Sequence, residues 1–206
     1  PYSNWYVAPV EPEPDPEPEV PTESKNVALN KDYTISGCGT TYGQYTASLT
    51  DGAAQTTISY DANWFTFYNN GSDASIINAP GGVGYVIIDL TESYNVTTVK
   101  ANVMDLQGAS GIKGPKSVKA YLSADGETWG EAVELDLSAF VSASESFVAV
   151  ANIEGEAQFV KVEFELDGIF AFVNEIEVYA DVPVEEEPPP DPEVVPYTIP
   201  VGSINA

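Results

Sequence analysis

The chain has no histidine and no arginine, a single cysteine and a single methionine. Without histidine, neither a Ser-His-Asp nor a Cys-His catalytic apparatus can be assembled, and a zinc site of nitrogen and sulfur ligands is out of reach. One cysteine, Cys38, excludes an intrachain disulfide; set between Gly37 and Gly39, it reads as a small buried or loop residue rather than a reactive thiol. No apolar run approaches the roughly 18 residues that a membrane-spanning helix needs. Positive charge is scarce too: seven lysines face 32 carboxylates, for a formal charge of −25. A surface of that sign repels phosphate backbones and anionic lipid headgroups, which argues against nucleic-acid binding and against membrane insertion or electrostatic attachment. It suits solubility outside cells, and equally the binding of cations.

What the chain has in quantity is proline, concentrated near its ends. Residues 11–16 (EPEPDP) and 185–192 (EEEPPPDP) are acidic and remove backbone donors at nearly every second position, so neither stretch can join a packed core. The expected division is a Pro/Glu-rich linker over residues 1–23, one domain over 24–180, and a second linker over 181–206. Twelve of the carboxylates and none of the lysines fall in the two linkers, which leaves the domain itself still acidic. Proline-rich stretches act as semi-rigid spacers of about 3.1 Å per residue. The apolar, aromatic residues 1–7 and 195–201 read as edges of neighbouring modules of the same polypeptide.

Between the linkers the apolar residues recur with period two, in short runs broken by Gly, Asn and Asp. Residues 84–90 (GYVIIDL) read as a largely buried strand, and 96–104 as a second after the turn-like 92–95. Residues 117–123 alternate with Val118, Ala120 and Leu122 on one face and end at an Asp125-Gly126 turn. Residues 147–150 are a further candidate. The clearest alternation is 159–166, where Val160, Val162, Phe164 and Leu166 face inward while Lys161, Glu163 and Glu165 face water. No ten-residue stretch carries a helical apolar stripe, so the expected class is all-β, a sandwich or jelly roll. Residues 40–82, rich in Gly, Asn, Ser, Asp and aromatics, read as long loops, where binding residues concentrate on rigid scaffolds.

Five stretches together resemble the discoidin-like (coagulation factor 5/8 type C) family and its family 32-type carbohydrate-binding modules: 26–31 (NVALNK), 49–52 (LTDG), 84–90, 118–129 (VKAYLSADGETW) and 174–179 (NEIEVY). They occur in the family's order over about residues 24–180. The resemblance implies a discoidin-like jelly-roll β-sandwich of about eight main strands, with ligand-binding loops at one end. It also implies a structural calcium ion, held by Asp51, Thr56 and Glu175 together with backbone carbonyls around Ala53. The donor set suits calcium, which takes six to eight oxygens. Apolar Ala53-Ala54 departs from the polar residues many members carry there, and Asp51 capping a turn beside a solvated Glu175 is the competing reading.

Sugars are held by aromatic faces stacked on their C–H side, flanked by amides and carboxylates. Residues 60–73 (YDANWFTFYNNGSD) have that composition, which nominates Trp64 and Tyr68 as stacking platform and Asn69, Asn70 and Asp73 as polar contacts. If this segment is extended, Trp64, Thr66 and Tyr68 share one face and Phe65 and Phe67 the other; Trp64 and Phe65 could equally plug the core. Tyr42 and Tyr45, and Phe170 and Phe172, compete as binding aromatics. The resemblance implies that Trp129, after the hairpin, lies in the core. The resulting expectation is a non-catalytic module of a secreted or cell-surface multimodular protein that binds a polysaccharide or oligosaccharide. A protein-interaction or adhesion module is the alternative, and nothing singles out a catalytic carboxylate pair.

Overall fold

The computed structural model describes residues 20–38, 46–58, 61–68, 82–138 and 145–184. Both expected linkers fall almost wholly outside these. Among the described residues there is no α-helix, only a 3-10 turn at Ala109–Gly111, and eight strands: β1 (Thr22–Asn26), β2 (Tyr33–Gly37), β3 (Phe65–Tyr68), β4 (Val83–Asp105), β5 (Ser117–Ser123), β6 (Val133–Glu134), β7 (Glu145–Glu165) and β8 (Phe170–Pro183).

All named strand pairings are antiparallel, and the hydrogen-bonded order is β1-β8-β4-β7-β5-β6, with β2 added to β4 and β3 to β8. β4 and β7 are too long for one flat layer, and they fold the sheet over on itself. Their ladder slips between Asp89 and Tyr94, where Thr91 adopts φ 70. The Asp89 carboxylate accepts the Thr91 N–H at 2.8 Å and Lys31 Nζ donates to the Thr91 hydroxyl at 2.6 Å, fixing this bend. The first half of β4 and second half of β7 lie in one layer with β2, β5 and β6; their other halves lie in the second layer with β8, β1 and β3. The two inner faces close on a single core that includes Val86, Ile88, Val99, Val103, Val118, Val160, Val162, Phe164, Ile176 and Val178. Fully burying each such side chain is worth about 1.5–3 kcal/mol.

The sequence patterns map onto this unevenly. β5 starts and ends where the alternation predicts. The stretch 92–95, expected as a turn between two strands, instead belongs to β4, and the candidates 147–150 and 159–166 are two parts of β7. Tyr94 and Asn95 pair with Ala157 and Glu156 of β7, a distant partnership that local pattern does not register. β3 lies inside the region expected to be loop.

One close approach in the core is testable. A Cβ at Gly84 would lie 2.2 Å from the Phe67 ring, which is itself stacked on Phe164 at 5.5 Å. Gly84→Ala is therefore expected to cost about 2 kcal/mol through overpacking, measurable by urea unfolding.

Candidate functional site

At the end of the sandwich where β7 turns into β8, β3 pairs with the start of β8 and sets Tyr68 opposite Phe170. Their rings lie 6.4 Å apart at 44°, both half-buried. Beneath them is a second apolar cluster, separate from the main core: Trp64, Met104, Leu106, Ile112 and Phe172. It forms on the outer side of the second layer, because Trp64, Thr66 and Tyr68 alternate outward while Phe65 and Phe67 enter the main core. The 105–116 loop supplies the lid. Gln107, Gly108, Ser110 and Gly111 all take positive φ, which curls the chain so that Ile112 meets Phe170 in a parallel bridge. Gly111 is required there, since a Cβ would come within 2.8 Å of Ile169. At the rim, Lys113 Nζ and the Asp167 carboxylate pair at 3.3 Å, both well exposed.

This arrangement corrects one expected platform residue, Trp64, and one competing binding aromatic, Phe172. Trp64 is 0% exposed and Phe172 1%, so neither face can meet a ligand. Trp64 packs edge-on against Phe172, and its indole N–H has no hydrogen-bond partner among the described residues. The alternation of β3 is as the sequence implies; the error is that both of its faces are covered, one by the core and the other by the 105–116 loop. Tyr68 and Phe170, taken as belonging to competing places, form one pair. Tyr42, Tyr45, Asn69, Asn70 and Asp73 lie outside the described residues. Sequence reasoning overlooked Lys113, Asp167 and Ile112; the glycine-rich run 108–114 and the Asp167-Gly168 pair were the available signals for a structured loop there. Trp129 is corrected as well: it is half-exposed on the outside of the first layer, not in the core.

The second constellation begins four residues along β8 from Phe170, at Asn174. There the β4–β8 register shifts between Asn102 and Val103, an irregularity that accommodates Asn174 as an extra residue. Asn174 holds the 50–63 loop: its Oδ1 accepts the Gln55 N–H at 2.7 Å, and its Nδ2 donates to the Asn63 carbonyl at 2.6 Å. Asn102 Nδ2 donates to the Gln55 carbonyl at 2.8 Å. Next to it, Glu175 is 1% exposed; one carboxylate oxygen accepts the Gly52 N–H at 3.0 Å and the other has no hydrogen-bond partner among the described residues. Burial, together with the neighbouring charges of Asp51 and Glu177, raises the Glu175 carboxyl to about 7 despite the Gly52 hydrogen bond. Asp51 is thus brought to Glu175, and its Oδ1 accepts the Ala53 N–H at 2.9 Å. Thr56 is exposed on the same loop. A buried carboxylate with an orphaned oxygen beside a second carboxylate is a poor arrangement in isolation and a good one for a hard cation, so the residues fit calcium. Among the described residues no three acidic, His or Cys side chains cluster, which leaves backbone oxygens to complete any such shell.

No family model matches the sequence, and no curated protein does. Solved structures similar to the chain include a chitosan-binding module derived from a chitosanase/glucanase of Paenibacillus sp. IK-5 (19% identity, 76% of this chain and 99% of that one, TM-score 0.45). A fucose-binding module of Streptococcus pneumoniae matches at 16% identity over 76% of this chain and 96% of its own, with a TM-score of 0.49. The family 32 carbohydrate-binding module of Clostridium perfringens NanJ, in complex with galactose, matches at 15% identity over 76% and 99%, with a TM-score of 0.47. At such identities the chemistry of the loops has to be read from this chain itself. What its own coordinates define is an antiparallel β-sandwich carrying an aromatic rim at one loop-bearing end.

Proposed function

We propose that the chain is a non-catalytic carbohydrate-binding module of an extracellular or cell-surface protein, taking a sugar at the Tyr68–Phe170 rim. The observation that carries this is a half-buried ring pair resting on a fully buried aromatic cluster, beside an exposed ammonium and carboxylate. Ring faces stack on the C–H side of a pyranose, while Lys113 donates to its hydroxyls and Asp167 accepts from them. Because Trp64, Phe172 and Ile112 fill the space below, the rings need little ordering on binding, and that limits the entropic cost.

Calcium, when bound, supplies positive charge that neutralises Asp51 and Glu175 and ties the 50–63 loop to β8. Asp51 and Glu175 would hold it, with Thr56 and carbonyls around Ala53 completing the set. Asn174 links this loop to Asn63, one residue before Trp64, so bracing the loop also braces the cluster beneath the rim.

Affinity electrophoresis against soluble α-glucan and galactan tests the reading. The wild-type chain should be retarded by at least one, and Tyr68→Ala and Phe170→Ala should each weaken that retention roughly tenfold. Retention of a protein partner with none of any polysaccharide would replace this reading with the adhesion one.

A further inference from the structure

The outside of the first layer carries more aromatic surface than a solvated sheet face requires. Along β4, β7 and β5 the outward residues fall into cross-strand rows: Tyr85, Glu163 and Lys119; then Ile87, Lys161 and Tyr121; then Asp89, Phe159 and Ser123. Period-two alternation places polar residues on such a face. Here Tyr85, Ile87, Tyr121 and Phe159 are outward and half-buried.

Trp129 joins them from the loop after β5. That loop is stiff: the Asp125 carboxylate accepts N–H groups of Glu127 at 2.8 Å and Thr128 at 2.7 Å, Gly126 sits against the Phe159 ring, and the Gly130 N–H closes on the Leu122 carbonyl at 2.9 Å. Lys161 Nζ lies 4.0 Å from the Tyr121 ring centre, 4.8 Å from Trp129 and 6.0 Å from Tyr85. The three rings therefore surround one ammonium, and Tyr121 also donates to Glu163 at 3.3 Å. A groove of about 430 Å³, lined by Thr34, Ile87, Asp89, Asp125 and Phe159 among others, continues the surface.

We propose that this face is a second binding surface, distinct from the loop-end rim, for an extended and uncharged β-linked glycan chain. Its shape argues for an extended ligand: Tyr85 and Tyr121 stand two strands apart across a sheet, a span of about 10 Å, where a rim pair admits one ring or a chain end. Its charge argues for an uncharged one. Lys116 pairs with Glu165 at 2.5 Å, Lys119 lies in register between Glu163 and Glu134, and Lys161 is held among rings, so no ammonium on this face is left to draw an anion, and Asp89 and Asp125 add further negative charge. Polyanions are repelled by the chain's −25, and a polycation finds denser carboxylate elsewhere on the chain. Hydroxyl groups, by contrast, find a donor in Lys161 and acceptors in Glu163 and Asp89.

The test is affinity electrophoresis in hydroxyethylcellulose and in mixed-linkage β-glucan. It compares wild type, Trp129→Ala, Trp129→Phe, Tyr121→Ala and the loop-end double variant Tyr68→Ala/Phe170→Ala, with circular dichroism on each. The expected result is retention of wild type and of the double variant, about tenfold weaker retention of Trp129→Ala and Tyr121→Ala, and near-normal retention of Trp129→Phe. If Trp129→Ala does not fold, Tyr121→Ala decides. Absence of wild-type retention by either polymer, retention indifferent to both face variants, or retention lost only in the double variant would each overturn the proposal. The last of these would leave the rim as the sugar site, so the two readings fail separately.

Discussion

Trp64→Ala should lower unfolding stability by about 3 kcal/mol, whereas Trp64→Phe should change it by less than about 1 kcal/mol in either direction. The indole fills the space between Phe172, Met104, Leu106 and Ile112 with no exposure, so truncation opens a large cavity, and Trp→Ala in such a place costs about 3–5 kcal/mol. Part of that is offset, because the indole N–H is buried without a partner and its desolvation, about 1–3 kcal/mol, disappears with the ring. Phenylalanine keeps most of the packing and removes the same orphan, which is why the two substitutions diverge. Urea unfolding of both variants checks this. A loss for Trp64→Phe well above about 1 kcal/mol would show that the N–H is satisfied. Any loss of sugar binding in Trp64→Ala should track loss of structure under Tyr68 and Phe170, not loss of a stacking face.

The second large effect concerns Glu175 and carries a sign opposite to that of most carboxylates. Its folded value of about 7 lies above the ordinary 4.5, so between those values the folded form keeps a proton that the unfolded chain releases. In chelator, the stability contributed by this group is complete below about pH 4.5, falls as pH rises, and is lost above about pH 7, a difference of about 3 kcal/mol. Calcium at pH 7.5 should restore it by compensating the charge. Glu175→Gln should flatten the profile: at pH 7.5 the variant should be more stable than wild type in chelator, and should gain nothing from calcium. Thermal unfolding across pH 4 to 8, with and without calcium, reads all four arms. Stability that rises from pH 4.5 to 7 in chelator would mean that Glu175 is charged without cost, and the brace would then need another explanation.

How much of this was legible in the sequence depended on distance along the chain. Strand β5 and the inward set Val160, Val162, Phe164 and Leu166 could be read because a pleated strand buried on one side writes its orientation into neighbouring residues. The meeting of Asp51 with Glu175 followed from a resemblance spread over the whole domain. What stayed hidden required a partner from far away. Tyr94 and Asn95 look like part of a turn until β7 is laid beside them. Trp64 looks like a platform until the 105–116 loop, with its left-handed Gln107 and Ser110, is folded over it. Trp129 is placed in the core by the family resemblance, and the lateral approach of Lys161 from β7 shows that the ring lies outside.

The extra residue in β8 separates two duties that a regular strand would have to share. On either side of it, Ala171 and Val173, then Ile176 and Val178, serve the interior, and excising Asn174 would simply restore an unbroken alternation. A one-codon deletion could therefore leave the folded interior intact while cutting the side chain that bonds to both Gln55 and Asn63. The scaffold is in that sense indifferent to its own loop fittings, and the loops are free to change in descendants of this gene without renegotiating the interior.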